Sequence, residues 1–240
     1  MYFDIHSHIL HNIDDGAPDL NSAIALLETA FKQGVTDVLL TPHFYPMCDA
    51  LEEHKQKANA NFNELKIAIK DKAMPNIYLG NEVSYYKGIS KASSIDRLTL
   101  NGSPYILLEP DFSLSNKNLQ ADILHLLERG FIPIIAHIER YYKERGFRDF
   151  LRFVKANGIL TQVNATSFFA AHYNRVLKKL IKSNIVTFLA SDTHSQNLRP
   201  TLIKSALDKI EMLYGTAYKQ KLIDNSQKLY LKIVNKEATV

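Results

Sequence analysis

The 240-residue sequence contains one cysteine, Cys48, and no tryptophan. A single thiol excludes an intrachain disulfide and a cysteine-built zinc site, and it suits a reducing cytoplasm. No apolar run approaches the ~20 residues that a membrane helix needs. The opening Met-Tyr-Phe-Asp-Ile-His lacks the basic and apolar regions of a signal peptide. Linkers, low-complexity tracts and sequence repeats are also missing. The net charge of +4 leaves little electrostatic footprint for DNA. That charge is uneven, with 10 Lys and Arg against 15 Asp and Glu in residues 1–120, and 19 against 10 thereafter. The late lysines, such as Lys204, Lys209, Lys219 and Lys228, are interleaved with apolar residues, as on solvated helix faces.

What is present is alternation. Short β-rich runs occupy Tyr2–His6, Thr36–Thr41, Asn76–Glu82, Tyr105–Glu109, Pro133–His137, Leu160–Asn164 and Ile185–Ser191. Several are continuous apolar blocks, expected of strands buried on both faces. Longer amphipathic stretches lie between them. Leu20, Ile24, Leu27 and Phe31 repeat at helical spacing between Pro18-Asp19 and Gly34, and Leu119, Ile123, Leu126 and Leu127 repeat before Gly130. Leu151, Phe153 and Val154 precede Gly158. Strand–helix alternation along the whole chain predicts a parallel sheet, and seven strands spaced in this way suit a (β/α) barrel in a single domain, 1–240.

Histidines and carboxylates fall at the ends of these runs. His6-x-His8 ends the first, His43 the second, Glu82 the third, Glu109 the fourth and His137 the fifth; Asp192-x-His194 follows the seventh. Asp14-Asp15-Gly16 lies in the loop after the first. A lone histidine at a strand end is usually a satisfied polar residue, and Asp-Asp-Gly alone is usually a turn. Carboxyl ends of parallel barrel strands, however, meet on one rim. So many imidazoles and carboxylates at one topological position predict a metal site for Mn, Fe or Zn. His11, His54, His125 and His172 do not share that position and are expected at the surface.

The segments Asp4-Ile-His-Ser-His8, Asp14-Asp-Gly16, Gln33-Gly-Val35, Thr41-Pro-His43, Glu82, Ala136-His-Ile-Glu-Arg140, Gln162-Val-Asn164 and Ala190-Ser-Asp-Thr-His194, in this order, resemble the PHP (polymerase and histidinol phosphatase) family. More narrowly, they are similar to its manganese-dependent protein-tyrosine phosphatases from bacterial capsule and exopolysaccharide clusters. The resemblance covers residue 4 to Asp224-Asn225. It implies a distorted (β/α)7 TIM-like barrel and three divalent ions, manganese first, with iron or zinc as alternatives. It implies that His6, His8, Glu82 and Asp192 hold one ion, that Glu82, Glu109 and His137 hold a second with Glu82 bridging, and that Asp15, His43 and His194 hold a third. Arg140 and Arg199 would clamp phosphate, and a metal-activated water would attack it. The implied substrate is phosphotyrosine on a protein, with a capsule-assembly tyrosine kinase as partner; nucleic acid and membrane are not expected.

Rival chemistries find less support. Cys48 is followed by Asp-Ala-Leu-Glu-Glu-His, without the arginine of a Cys-x5-Arg phosphate cradle, and nearby acids raise a thiol pKa. No Gly-x-Ser-x-Gly elbow marks a serine hydrolase. The alternatives carried forward are a small-molecule phosphatase acting on a substrate such as histidinol phosphate, and a non-catalytic regulatory module of the same fold.

Overall fold

Alternation of strand and helix is what the chain builds. The computed structural model describes residues 2–111 and 114–235. In chain order these begin with β1 (Phe3–Asp4), α1 (Leu20–Lys32), β2 (Asp37–Leu40), β3 (His43–Phe44), α2 (Leu51–Ile69), β4 (Asn76–Leu79) and β5 (Glu82–Ser84). There follow β6 (Tyr105–Glu109), α3 (Lys117–Glu128), β7 (Ile132–Ile135), α4 (Phe147–Ala156), β8 (Leu160–Asn164) and α5 (Asn174–Lys182). The last elements are β9 (Phe188–Ala190), α6 (Ile203–Tyr214) and α7 (Thr216–Ile233).

Local chemistry sets the helix ends. The Asp19 carboxylate accepts the Ser22 N–H at 2.8 Å and caps α1, and Asn116 does the same for α3 through Asn118 N–H at 2.9 Å. Gly130, at φ +85°, turns the chain after α3 into β7, a conformation that side chains disfavour.

All strand pairs are parallel: β1–β2–β4 in one sheet and β3–β5–β6–β7–β8–β9 in the other. The run expected at 36–41 ends at Leu40 and is followed past Pro42 by the separate strand β3, and the run expected at 76–82 is divided between β4 and β5. Proline 42 has no N–H for the ladder, so the second run changes neighbours there. Gly80 lies against Leu100, where a Cβ would stand 2.7 Å from Leu100 Cδ2. The ring still has seven positions, because Glu82 N donates to Pro42 O (3.1 Å) and Gly80 N to Leu40 O (2.9 Å) across the break. Past β1 and β9, Ser7 bridges Thr193 in parallel, with His8 N donating to Thr193 O at 2.8 Å and Asp192 N to His6 O at 2.9 Å. These bonds join the first run to the last, giving the distorted barrel expected of the PHP type.

Side chains alternate between two cores. Leu107 and Ile134 join Phe3, Ile5, Leu39 and Phe188 in one buried cluster, while Ile106, Leu108 and Ile135 face the other, which packs the helices. Full burial of each such aliphatic chain contributes about 1.5–3 kcal/mol. With both faces apolar, most polar residues of the strands fall at their ends, β8 with Thr161 and Gln162 being an exception.

Candidate metal centre

The rim formed by the carboxyl ends of the ring carries a cluster of histidine, aspartate and glutamate. Glu82, fully buried, lies at its middle. Its Oε2 stands 2.9 Å from His43 Nδ1, 3.2 Å from His8 Nε2 and 3.3 Å from His6 Nε2, and its Oε1 stands 2.9 Å from His137 Nε2. Asp192 Oδ1 lies 3.4 Å from both His6 Nε2 and His8 Nε2. Glu109 is 3.5 Å from His137. Further out, Asp15 Oδ1 is 3.3 Å from His194 Nε2 and 3.6 Å from His43 Nε2, and its side chain is 61% exposed. All nine expected metal residues therefore converge.

Three sets bring one ligand atom per residue within 4.8 Å of one another: His6, His8 and Asp192; His43, Glu82 and Glu109; and His8, Asp15, His43 and His194. His8 and His43 thus each face more than one set, while His137 reaches the middle set through Glu82 and Glu109. Arg140 and Arg199 stand at the mouth. Arg140 pairs with Asp192, and Arg199 Nη2 lies 2.7 Å from Asp15 Oδ2.

The backbone at the cluster is unusual. Two of these residues lie just past a strand in left-handed conformations, His137 at φ 30° and Asp192 at φ 49°. Such non-glycine geometry costs on the order of 1–3 kcal/mol per residue and collects at functional sites. Gly16 completes the Asp-Asp-Gly loop for a steric reason, since a Cβ there would lie 2.0 Å from the His8 carbonyl oxygen.

Hydrogen bonds around the cluster fix the ring tautomers. Gln162 Oε1 accepts the His137 backbone N–H at 2.7 Å, which identifies that atom as oxygen. His6 Nδ1, 3.2 Å away, must then be the donor to it. His8 Nδ1 donates to Asp14 Oδ2 (2.7 Å) and His194 Nδ1 to the Asp192 carbonyl (2.9 Å). With Nδ1 engaged from behind, each of these rings directs Nε2 into the cluster, and the Nε2 atoms of His6 and His8 face each other at 3.1 Å. Ring nitrogens and carboxylate oxygens crowded together in this way call for positive charge between them, and against burial the surrounding carboxylates accordingly raise the proton affinity of His6 and His8. The buried atoms Glu82 Oε2, His43 Nδ1 and His194 Nε2 have no hydrogen-bond partner. The donor set fits divalent cations: imidazole and carboxylate, with the rings of His6, His8 and His194 oriented from behind by an oxygen.

The proton affinities follow the same logic. Burial would raise the Glu82 carboxyl, but the His6 charge, the hydrogen bond from His137 and the close ring of His43 hold it well below the carboxylate range. Asp192 is held well below it too, against its burial, by His6, His8 and Arg140. Burial and the neighbouring Glu82 charge push Glu109 up to about 7. Burial lowers His137 to about 4, helped by Arg140, and His194 to about 3, helped by His8. Asp14, in spite of burial, is brought down to about 2 by its hydrogen bond to His8.

Several contributing residues lay outside the expected set. Gln162 and Asn164 alternate along β8 and link the cluster: Gln162 Nε2 donates to Asn164 Oδ1, and Asn164 Nδ2 to Asp192 Oδ2 (2.6 Å). Buried polar residues at i and i+2 of one strand, on the same face, were the available signal. Asp14 orients His8 and accepts His43 N–H at 2.9 Å. Buried Glu139 accepts from Asn164 N–H and the Ser167 hydroxyl. The expectation of surface positions fails for His11 and His54, which are buried. Helix α2 packs over His11 and carries His54 on its buried face, with His11 Nε2 3.1 Å from Glu64 and His54 Nε2 2.8 Å from Asn81 Oδ1. His125 is half-buried beside Ser90, and only His172 is exposed.

Comparison with known proteins agrees with this geometry. The family model described as capsular polysaccharide synthesis, CpsB/CapC, matches residues 2–231. The tyrosine-protein phosphatase CpsB of Streptococcus pneumoniae is 29% identical over 239 residues, covering 95% of this chain and 98% of the relative. CapC of Staphylococcus aureus is 34% identical over 207 residues, covering 84% of this chain and 80% of that protein. Among solved structures, one from a study of YwqE of Bacillus subtilis and CpsB of Streptococcus pneumoniae, described as metal-dependent tyrosine phosphatases, superposes with a TM-score of 0.81 at 25% identity, covering 99% of this chain and 96% of the other.

Proposed function

The chain belongs to the CpsB/CapC family, and from that premise we propose how its rim cluster serves a metal-dependent tyrosine-protein phosphatase. The reaction is hydrolysis of phosphotyrosine on proteins, in capsule synthesis. The observation that carries the reading is the set of opposed imidazole nitrogens and carboxylates with two arginines at its mouth.

Three divalent ions are the proposed complement, manganese first. His6, His8, Glu82 and Asp192 hold one, Glu82, Glu109 and His137 a second, and Asp15, His43 and His194 a third. When bound, such ions supply six positive charges against the four carboxylates Asp15, Glu82, Glu109 and Asp192, which neutralises a phosphate dianion and makes water nucleophilic near neutral pH.

The protein's own groups do the rest. Arg140 and Arg199 present planar guanidinium donors to the phosphate oxygens, each oriented by the carboxylate it touches, Asp192 or Asp15. Gln162 and Asp14 keep the Nδ1 protons of His6 and His8 turned away from the reacting side. His194 has both ring nitrogens engaged, one by the Asp192 carbonyl and one towards Asp15, so it does not donate a proton. The departing phenol, with a pKa of about 10, leaves more readily than an alkoxide.

Residues 1–240 act as one PHP phosphatase unit, in the cytoplasm, where exposed Cys48 stays reduced. No helix among the described residues is long and apolar enough to cross a membrane. The proposed physiological substrate is a capsule-assembly tyrosine kinase, which the family's place in capsular polysaccharide synthesis supports.

The test is turnover after chelation, with and without Mn²⁺, on a phosphotyrosine peptide, a phosphoserine peptide and histidinol phosphate. Mn-restored activity that prefers phosphotyrosine is expected. Preference for histidinol phosphate would overturn the substrate, and inert metal-loaded protein would overturn the activity.

A further inference from the structure

Beside the turn that carries Arg140, the surface opens into a cavity of about 730 Å³ walled by Tyr142, Phe147, Arg148, Arg175, Val176 and Lys179. Phe147 and Val176 are buried and form an apolar floor. The walls carry three cations, Arg148, Arg175 and Lys179, against two carboxylates, Glu144 and Asp149. The surrounding segment 142–182 holds nine Lys and Arg against those two acids, leaving twenty against twenty-three in the rest of the chain, so the excess positive charge lies in this segment. Asp149 is already paired with Arg152, and among the described residues no carboxylate pairs with Arg148, Arg175 or Lys179. Unpaired cations around an apolar floor are a surface arranged for an anionic, amphipathic ligand.

Chain order and packing connect the cavity to the arginine at the mouth of the metal centre. Tyr142 is two residues beyond Arg140, and its ring meets Tyr173 edge to face at 5.7 Å. Tyr173 in turn lies within the electrostatic reach of Arg140 and Glu139. Helix α5, which supplies Arg175 and Lys179, packs on the Ile138–Tyr141 turn. The residues that flank a phosphotyrosine held at Arg140 are thus the part of the substrate placed nearest to this cavity.

We propose that the cavity binds the acidic stretch of polypeptide flanking the phosphotyrosine, with Arg148, Arg175 and Lys179 pairing its carboxylates and Phe147 and Val176 receiving its apolar side chains. The proposal rests on the phosphatase reading above. It makes the enzyme selective for phosphotyrosines in acidic sequence, a property that the metal centre alone does not confer.

The test uses metal-loaded protein and the double variant Arg175→Glu, Lys179→Glu, both positions exposed on α5. Substrates are phosphotyrosine peptides of equal length with acidic or neutral flanks, and free phosphotyrosine. Acidic flanks should lower KM about tenfold at low salt, with kcat unchanged and the advantage shrinking as salt screens it. The variant should lose that advantage while turning over free phosphotyrosine as before. Equal KM for the two peptides, or a variant that keeps the preference, would overturn the proposal. If free phosphotyrosine is not hydrolysed, the phosphatase reading fails separately. Anisotropy of a labelled acidic peptide with phenylalanine in place of phosphotyrosine then decides the cavity: about tenfold weaker binding to the variant supports it, and equal binding overturns it. An oligonucleotide of matched charge that binds more tightly than the peptide would overturn the peptide assignment.

Discussion

The inner and outer halves of the rim cluster are made of the same residue types and differ in their surroundings. In the inner half His6, His8, Glu82, His137 and Asp192 are all buried, and His6 and His8 are oriented from behind by Gln162 and Asp14. In the outer half Asp15 is mostly exposed, and an arginine that is itself one-third exposed holds it from the solvent side. A buried, pre-oriented donor set binds tightly because its ordering cost is met by folding. An exposed carboxylate must be immobilised on binding and competes with water. The inner half should therefore retain ions through chelation and the outer half should exchange them.

The largest effect should come from removing the centre of the inner half. Glu82→Gln should cut phosphotyrosine turnover by ~10³-fold or more, since Lewis-acid stabilisation contributes several kcal/mol and each 1.36 kcal/mol is tenfold. Its metal content, read by plasma mass spectrometry, should fall by more than that of any outer variant; full metal content would break the comparison. Next comes the mouth. Arg140→Ala should lower kcat by ~10²–10³-fold with metal content unchanged, as for loss of a preorganised donor to developing charge. If metal is lost with it, Arg140 is holding Asp192 in place and not the phosphate.

Asp15→Asn should be milder, with ~10–100-fold lost at limiting Mn²⁺ and most of it recovered in excess metal. An irrecoverable loss would make the two halves equivalent. Asp4, beneath the inner half, should have the smallest effect on turnover. Burial pushes its carboxyl up to about 6, its Oδ1 accepting Ser191 N–H and its Oδ2 unpartnered. The folded state then binds more protons than the unfolded one between pH ~4 and ~6, so this group's contribution to stability falls as pH rises through that window, by ~3 kcal/mol. Asp4→Asn should abolish that slope. Denaturant unfolding of metal-free protein at pH 4 and pH 7 reads it, and parallel profiles for wild type and variant would refute the assignment.

The residues of the rim cluster were legible because strand ends are legible. An apolar run that stops at a histidine or glutamate marks both the strand and the rim, as at His43, Glu82 and His137. The orienting residues were harder to read. Gln162 and Asn164 sit within a strand, and their meaning depends on which ring stands opposite them. His11 and His54 were misplaced because their burial is decided by α2, whose packing no local pattern announces.

By itself the sequence determined the alternation, the seven-membered ring and the residue types at its rim, since periodicity and chain order are local properties. The tertiary structure decided the break after the second run and the division of the third, the left-handed backbone of His137 and Asp192, the tautomers of the rings and the cationic cavity beside Arg140. Each of these depends on atoms far apart in the chain being brought to hydrogen-bonding or van der Waals distance, and only the closed fold specifies those distances.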